Sequence, residues 1–192
     1  MSVSVENKTV AKHVLKAFGG TPQVRAYHHH TESLSVDILR CDDRPCGGVT
    51  AYSTIGLSDH PMLQDGKEFP TRLEIAGACA TAYEFFANIL ASAAFSIIRT
   101  QKLYHPGSVM PGYVREYYSS TTVPHLFFTA PFLWEDALKT LGCGTKKVSW
   151  LLIVPISDAE REYVKEHGDD ALEDLFEKHQ IDIFDLSRPS VV

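Results

Sequence analysis

Three consecutive histidines, His28, His29 and His30, are the first residues whose type suggests chemistry, because imidazole is a common zinc ligand. Neighbours on an extended chain point to opposite faces, so three in a row cannot converge on one ion. A site would need Cys41 or Cys46 brought in by the fold, and no spacing demands it. They are expected on an exposed loop or strand edge. Gly142-Cys143-Gly144-Thr145-Lys146-Lys147 has the letters of a phosphate loop without its spacing, which is Gly, four residues, then Gly-Lys-Ser/Thr leading into a helix. It reads as a helix end and turn. Ser58-Asp59-His60 holds the letters of a hydrolase triad, but triad members meet from separated positions, and there is no Gly-x-Ser-x-Gly elbow. It reads as a turn.

Asp169, Asp170, Glu173, Asp174 and Glu177 recur at helical spacing. Carboxylates that hold Mg²⁺ or move protons are usually drawn from several elements into a cleft. Acids on one helix face are ordinarily solvated, so these point to a charged surface rather than to catalysis. They are the residues expected to meet a partner. Tyr113, Tyr117, Tyr118, Phe127 and Phe128 lack the comb of Lys and Arg that base stacking requires, and they read as core or protein interface. No catalytic, cofactor-binding or metal-binding set is expected.

Charge sharpens this. The 192 residues carry a net −6, and residues 157–192 alone hold eleven Asp/Glu against four Lys/Arg. Such a segment repels nucleic acid, whose binding rests on neutralising phosphates. It suits a basic protein partner, because complementary potentials speed encounter. Cys41, Cys46, Cys79 and Cys143 have no metal-site spacing and are expected as free thiols. The N-terminal residues 1–7 lack the basic and apolar stretches of a signal peptide, and a cytoplasmic location is expected. The long apolar run 76–98 contains Glu84 and Asn88, which suits a buried helix and not a membrane span.

The elements that position these residues follow from periodicity. Val10, Val14, Leu15 and Phe18 predict a helix over 6–18, stopped by Gly19-Gly20. Extended stretches at 23–29, 34–40, 49–57 and 70–77 are separated by short Gly, Pro and Asp turns, which predicts an antiparallel meander. Residues 81–100 predict a helix covered on most sides. Residues 101–124 are irregular, with two Pro-Gly pairs, and form a candidate interaction loop. A short strand at 125–128 and a helical turn at 132–141 follow. Residues 148–155 (VSWLLIVP) are apolar on both faces, so this strand belongs inside the sheet. Ser157 and Glu160 form a capping-box signature for a helix over 158–167, and another helix spans 169–179. Trp150 is expected to anchor the core, Gly56 to permit close backbone approach, and Arg188 to pair with Asp182 or Asp185. The whole chain, 1–192, is expected to be one α+β domain, a mostly antiparallel, mixed sheet packed with helices.

Three segments together resemble the suppressor-of-fused domain family in its compact bacterial form. They are the strand ending Gly56-Leu57-Ser58-Asp59, the strand and helix start Trp150 to Glu162 with Pro155-Ile156-Ser157, and the tail Asp185-Leu186-Ser187-Arg188-Pro189-Ser190. The resemblance spans residues 6–192. It implies a non-enzymatic α/β sandwich that binds protein, and in bacteria an immunity protein directed against a secreted polymorphic toxin, often a nuclease. It supplies no catalytic residues. The expected function is therefore a cytoplasmic antitoxin with no cofactor, and the alternative is a regulatory or scaffold protein that binds another cytoplasmic protein. A cryptic hydrolase or metal enzyme would require His28, Cys41, Asp59 and His60 to converge in a cleft.

Overall fold

The computed structural model describes residues 4–192, with all their side chains except those of Glu135 and Asp136. Part of the leader reading, on residues 1–3, therefore lies outside the described residues.

Helix α1 (Val5–Phe18) starts where Ser4 Oγ accepts the Asn7 N–H. It buries Val10, Val14 and Phe18 along one stripe. Strands β1 (Pro22–His28), β2 (Ser35–Asp42), β3 (Val49–Ile55) and β6 (Thr71–Ala80) form the expected antiparallel meander. A small hairpin, β4 (Leu63–Gln64) and β5 (Lys67–Glu68), interrupts it between β3 and β6. Helix α2 (Phe86–Thr100) follows, then β7 (Val109–Met110), β8 (His125–Thr129), β9 (Leu141–Cys143) and β10 (Lys146–Ile156), and finally helices α3 (Asp158–His167) and α4 (Asp169–His179).

The sheet order is β1-β2-β3-β6-β10-β8-β7, with β9 also paired to β10. Every pairing is antiparallel except β6 with β10, which runs parallel from Thr71↔Lys147 to Ala76↔Leu152. The parallel pair is possible because α2 and the segment after it supply a long crossover between the two strands. The all-apolar 148–155 stretch sits inside the sheet, as its lack of alternation requires. One face packs α2 through Phe86, Ile89, Leu90 and Ile97. The other packs α1 through Val10 and Val14, and α4 through Leu172. The result is a mixed α+β sandwich, helices over both faces of one sheet.

Three local expectations change. The 81–100 helix begins at Phe86, because turn hydrogen bonds from Tyr83 N to Ala80 O and from Phe86 N to Tyr83 O occupy the preceding residues. Gly142–Gly144 is a hairpin and not a helix end: β9 pairs back on β10 with Cys143 opposite Lys146, and Gly144 turns with φ 61°. The irregular 101–124 stretch is largely anchored, with Tyr104, Val114 and Val123 buried against the α2 layer.

Trp150 is 3% exposed, and its Nε1 donates to Ser53 Oγ at 3.2 Å, tying β10 to β3 across β6. Replacing a large core aromatic with Ala leaves a cavity, and here it also removes the indole donor to Ser53 Oγ, which keeps only its own bond to Thr54 O. Trp150→Ala is expected to lower unfolding free energy by about 3–5 kcal/mol. Urea denaturation checks this, and a loss under about 1 kcal/mol would remove Trp150 from the anchoring role.

Candidate functional site

Helix α4 carries the acids singled out by spacing, and its packing sorts them. Leu172 is fully buried against the sheet, and Phe176 meets Phe127 edge-on at 6.4 Å between ring centroids. That fixes the rotation of the helix and turns Asp174 and Glu177 outward. Asp169 and Asp170 occupy the first turn, where carboxylates stabilise the positive end of the helix dipole. Glu173 is half-buried and accepts a hydrogen bond from Thr129 Oγ1 at the end of β8, so it is not simply solvated.

Beyond α4 the chain turns at Gln180 and runs back along the helix. Ile181, Ile183 and Phe184 from this tail, with Phe132 and Leu133 from the loop after β8, close a groove of about 630 Å³ beside Phe176. Its rim holds Glu173, Asp174, Glu177 and Asp182, and among the described residues no Lys, Arg or His lines it. Of the five predicted residues, three line the groove, and Asp169 and Asp170 do not. Sequence reasoning missed Asp182 and the whole apolar floor. The available signals were the run Ile181-x-Ile183-Phe184 and the lone Phe132 after Pro131.

The tail wall is held by a buried ion pair. Arg188 donates from Nη1 to Glu160 Oε1 at 2.7 Å and from Nη2 to Glu160 Oε2 at 2.8 Å. The same guanidinium reaches Pro155 O and Pro189 O, each at 3.0 Å, and stacks over the Phe176 ring at 5.3 Å. The expected partners Asp182 and Asp185 are replaced by Glu160. Both carboxylates are engaged by the tail backbone instead, Asp182 by Phe184 N and Asp185 by Ser187 N. Asp185 also accepts from Tyr83 Oη at 2.7 Å. Its carboxyl is held below the usual range by hydrogen bonds from Ser187 first and Tyr83 second.

The Gly56-Leu57-Ser58-Asp59 motif proves to be a structural knot. Gly56 has φ 97°, and a Cβ there would sit 3.4 Å from Asn7 Nδ2, so the site needs glycine. Fully buried Glu74 accepts from Gly56 N at 2.9 Å, Ser58 N at 3.1 Å and Thr54 Oγ1 at 2.5 Å. Asp59 accepts from Lys146 Nζ at 2.7 Å and Asn7 Nδ2 at 2.9 Å. Among the described residues no hydrogen bond joins Ser58 Oγ to Asp59 or His60, so the triad letters carry no triad.

Nor do His28, Cys41, Asp59 and His60 converge. The β1–β2 register puts His28 opposite Ser35 and Cys41 opposite Pro22, which separates His28 and Cys41 by roughly 20 Å of strand. Among the described residues no three His, Cys, Asp or Glu side chains are grouped to hold a metal. His29 instead stacks edge-on against Phe95, 5.4 Å away, in a polar cleft over α2. A dyad that sequence reasoning did not find joins His125 Nε2 to Asp158 Oδ1 at 2.8 Å. Gly112 N donates to His125 Nδ1 at 2.9 Å, which assigns the imidazole proton to Nε2. Arg115 also reaches Asp158, at 3.0 Å, so the dyad fastens the 112–125 segment to the start of α3.

No helix among the described residues is long and apolar enough to cross a membrane. The groove has an apolar floor and an acidic rim, and its tail wall is held by the Arg188–Glu160 pair. The comparisons name the class: residues 32–189 match the family model Suppressor of fused protein (SUFU), and the chain belongs to that family. It is 43% identical over 192 residues to the immunity protein YqcF of Bacillus subtilis (strain 168), covering 100% of both chains. The fold is shared with a putative SUFU homologue from Neisseria gonorrhoeae, at TM-score 0.70, 16% identity and 97% coverage of each chain. It is also shared with a chain of the Sufu–Fu complex, at TM-score 0.70 and 14% identity, covering 97% of this chain and 92% of that one.

Removing one partner of a buried ion pair strands the other. Arg188→Ala is expected to lose about 3–5 kcal/mol of stability and to speed amide exchange across residues 181–192, seen by hydrogen–deuterium exchange. Unchanged protection there would deny the latch. Burial pushes the Glu74 carboxyl up, against the pull of Thr54 and Ser58. The folded state therefore favours the protonated form. Its contribution is fully present at pH below the ordinary carboxylate value and is lost as pH rises through the raised one. Glu74→Gln is expected to flatten that part of the stability–pH curve, measured by thermal melts from acid to neutral pH.

Proposed function

We propose that this chain is a cytoplasmic immunity protein that binds and neutralises a cognate polymorphic toxin, most simply a nuclease, without catalysis. Identity of 43% along the full length of a protein named as an immunity protein carries this reading. The likeness runs from end to end, which supports reading the whole chain as one binding domain. The acidic face of α4, comprising Asp169, Asp170, Glu173, Asp174 and Glu177, supplies the complement to a basic toxin. A nuclease must gather phosphates with cationic side chains, and a carboxylate surface competes for that same field. No metal or cofactor is needed, because occlusion requires only contact.

The test is growth rescue. Pull-down from the native host is expected to recover one toxin in stoichiometric amount, and co-expression with that toxin, or with any toxin found encoded beside this gene, is expected to restore growth. Reversing the exposed pair Asp170→Lys and Asp174→Lys is expected to slow association several-fold at low salt, with the difference fading near ~0.5 M salt. Recovery of a housekeeping complex without rescue would transfer the assignment to a regulatory binder. Salt-independent, unchanged kinetics would remove the acidic helix from the interface.

A further inference from the structure

We infer that the groove between α4, the tail and the 132–133 loop is an anchor pocket for one bulky apolar side chain of the toxin, flanked on the toxin by Lys or Arg; this rests on the proposed immunity function. Two independent features of the groove select that chemistry. Its floor is apolar and open: Phe132 is 48% exposed, although burial of so large a ring is favoured, and Phe176 and Phe184 are only half-covered. Its rim is acidic: Glu173, Asp174, Glu177 and Asp182 line it with no Lys, Arg or His among the described lining residues, and although Glu173 and Asp182 accept hydrogen bonds from Thr129 and Phe184, no cation there neutralises the four. Asp174 and Glu177 make no ion pair or side-chain hydrogen bond among the described residues, so their charge is available to a partner.

The occupant follows from complementarity. A second copy of this chain seated symmetrically on the groove would set each acidic rim against its twin, which like-charge juxtaposition disfavours. A purely cationic segment would leave the aromatic floor wet. A purely apolar one would bury the rim carboxylates unpaired, and that is costly. An apolar side chain beside a basic one satisfies both parts, and about 630 Å³ falls within the usual range of ligand pockets. The tail wall is fixed in place by the Arg188–Glu160 pair, so little ordering accompanies binding. The polar cleft by His28–His30 on the opposite face lacks both an apolar floor and a one-signed rim.

The probe is the toxin domain encoded beside this chain, made inactive by substitution of its own catalytic residue and presented to the full-length chain. Phe132→Ser is expected to raise Kd tenfold or more, chiefly through faster dissociation, as loss of a buried aromatic anchor does. Glu177→Lys is expected to lower the association rate several-fold at ~50 mM salt and hardly at ~0.5 M. Phe85→Ser, which removes an equally exposed aromatic beside α2 on the other face, is expected to bind within about twofold of the unaltered chain. Tight binding and rescue by the unaltered chain, with Phe132→Ser and Glu177→Lys indistinguishable from it, would overturn the groove and leave the immunity function standing. Failure of the unaltered chain to bind the toxin would overturn both. Melting curves for each variant separate a lost contact from a lost fold.

Discussion

Four donors from three residues, at the start of α3 and in the tail, converge on the carboxylate of Glu160: both Arg188 terminal nitrogens, Ser157 N and Val191 N. The capping box at the start of α3 would exist without the tail, and the tail would be ordinary polar chain without α3. Their meeting point is dry, with Glu160 fully buried and Arg188 3% exposed. A buried charge is tolerated only when its partner and its remaining lone pairs are satisfied. Here that condition fixes the end of β10, the first turn of α3 and the last residues of the chain relative to one another. The same guanidinium lies on the Phe176 ring, so the constraint passes on to α4. The groove is what remains between the elements this pair has fixed.

The sheet provides the matching constraint from the other end. Parallel pairing of β6 with β10 is the one exception to an antiparallel sheet, and on the other edge of β6 the antiparallel pairing with β3 places Glu74 next to the β3 terminus, where it gathers Thr54, Gly56 and Ser58. Two buried carboxylates, Glu74 and Glu160, thus each collect backbone N–H groups that strand ends and turns would otherwise leave unpaired. The first has hydroxyl and amide donors alone, and burial raises its pKa. The second has a cation. The three segments that carry the family resemblance include these knots or their partners, so those motifs report structural chemistry and not a reactive site.

What could be read from the sequence was whatever local pattern decides. The unbroken apolar run of β10, the Ser157–Glu160 box and the helical stripe of α1 are each fixed by residues within one turn or one strand, and each stands where its pattern put it. The meander was legible because short turns leave few topologies. What failed was long-range. Arg188 finds Glu160 28 residues away and passes over the nearer Asp182 and Asp185, which the tail's own turns already occupy. Gly142 to Gly144 closes a hairpin because β10 was there to pair with, a fact no local window contains. The acids of α4 were found by spacing, yet their division into groove-lining Glu173, Asp174 and Glu177 and dipole-facing Asp169 and Asp170 depends on which way Leu172 and Phe176 turn the helix.

On the proposed reading, the arrangement separates the scaffold from the binding surface. The buried carboxylates and the apolar strands use residues that face inward, so they constrain the fold and leave the groove lining free to vary. With a partner seated in the groove as proposed, rim charge would act over roughly a Debye length and set how fast that partner arrives, whereas the apolar floor would act only on contact and set how long it stays. These are separable quantities carried by separable residues, since Asp174, Glu177 and Phe132 are all exposed and none belongs to the buried core. A protein that must match one antagonist tightly gains from this division, because specificity can be retuned at the rim and floor while the Glu160–Arg188 latch keeps the walls in place.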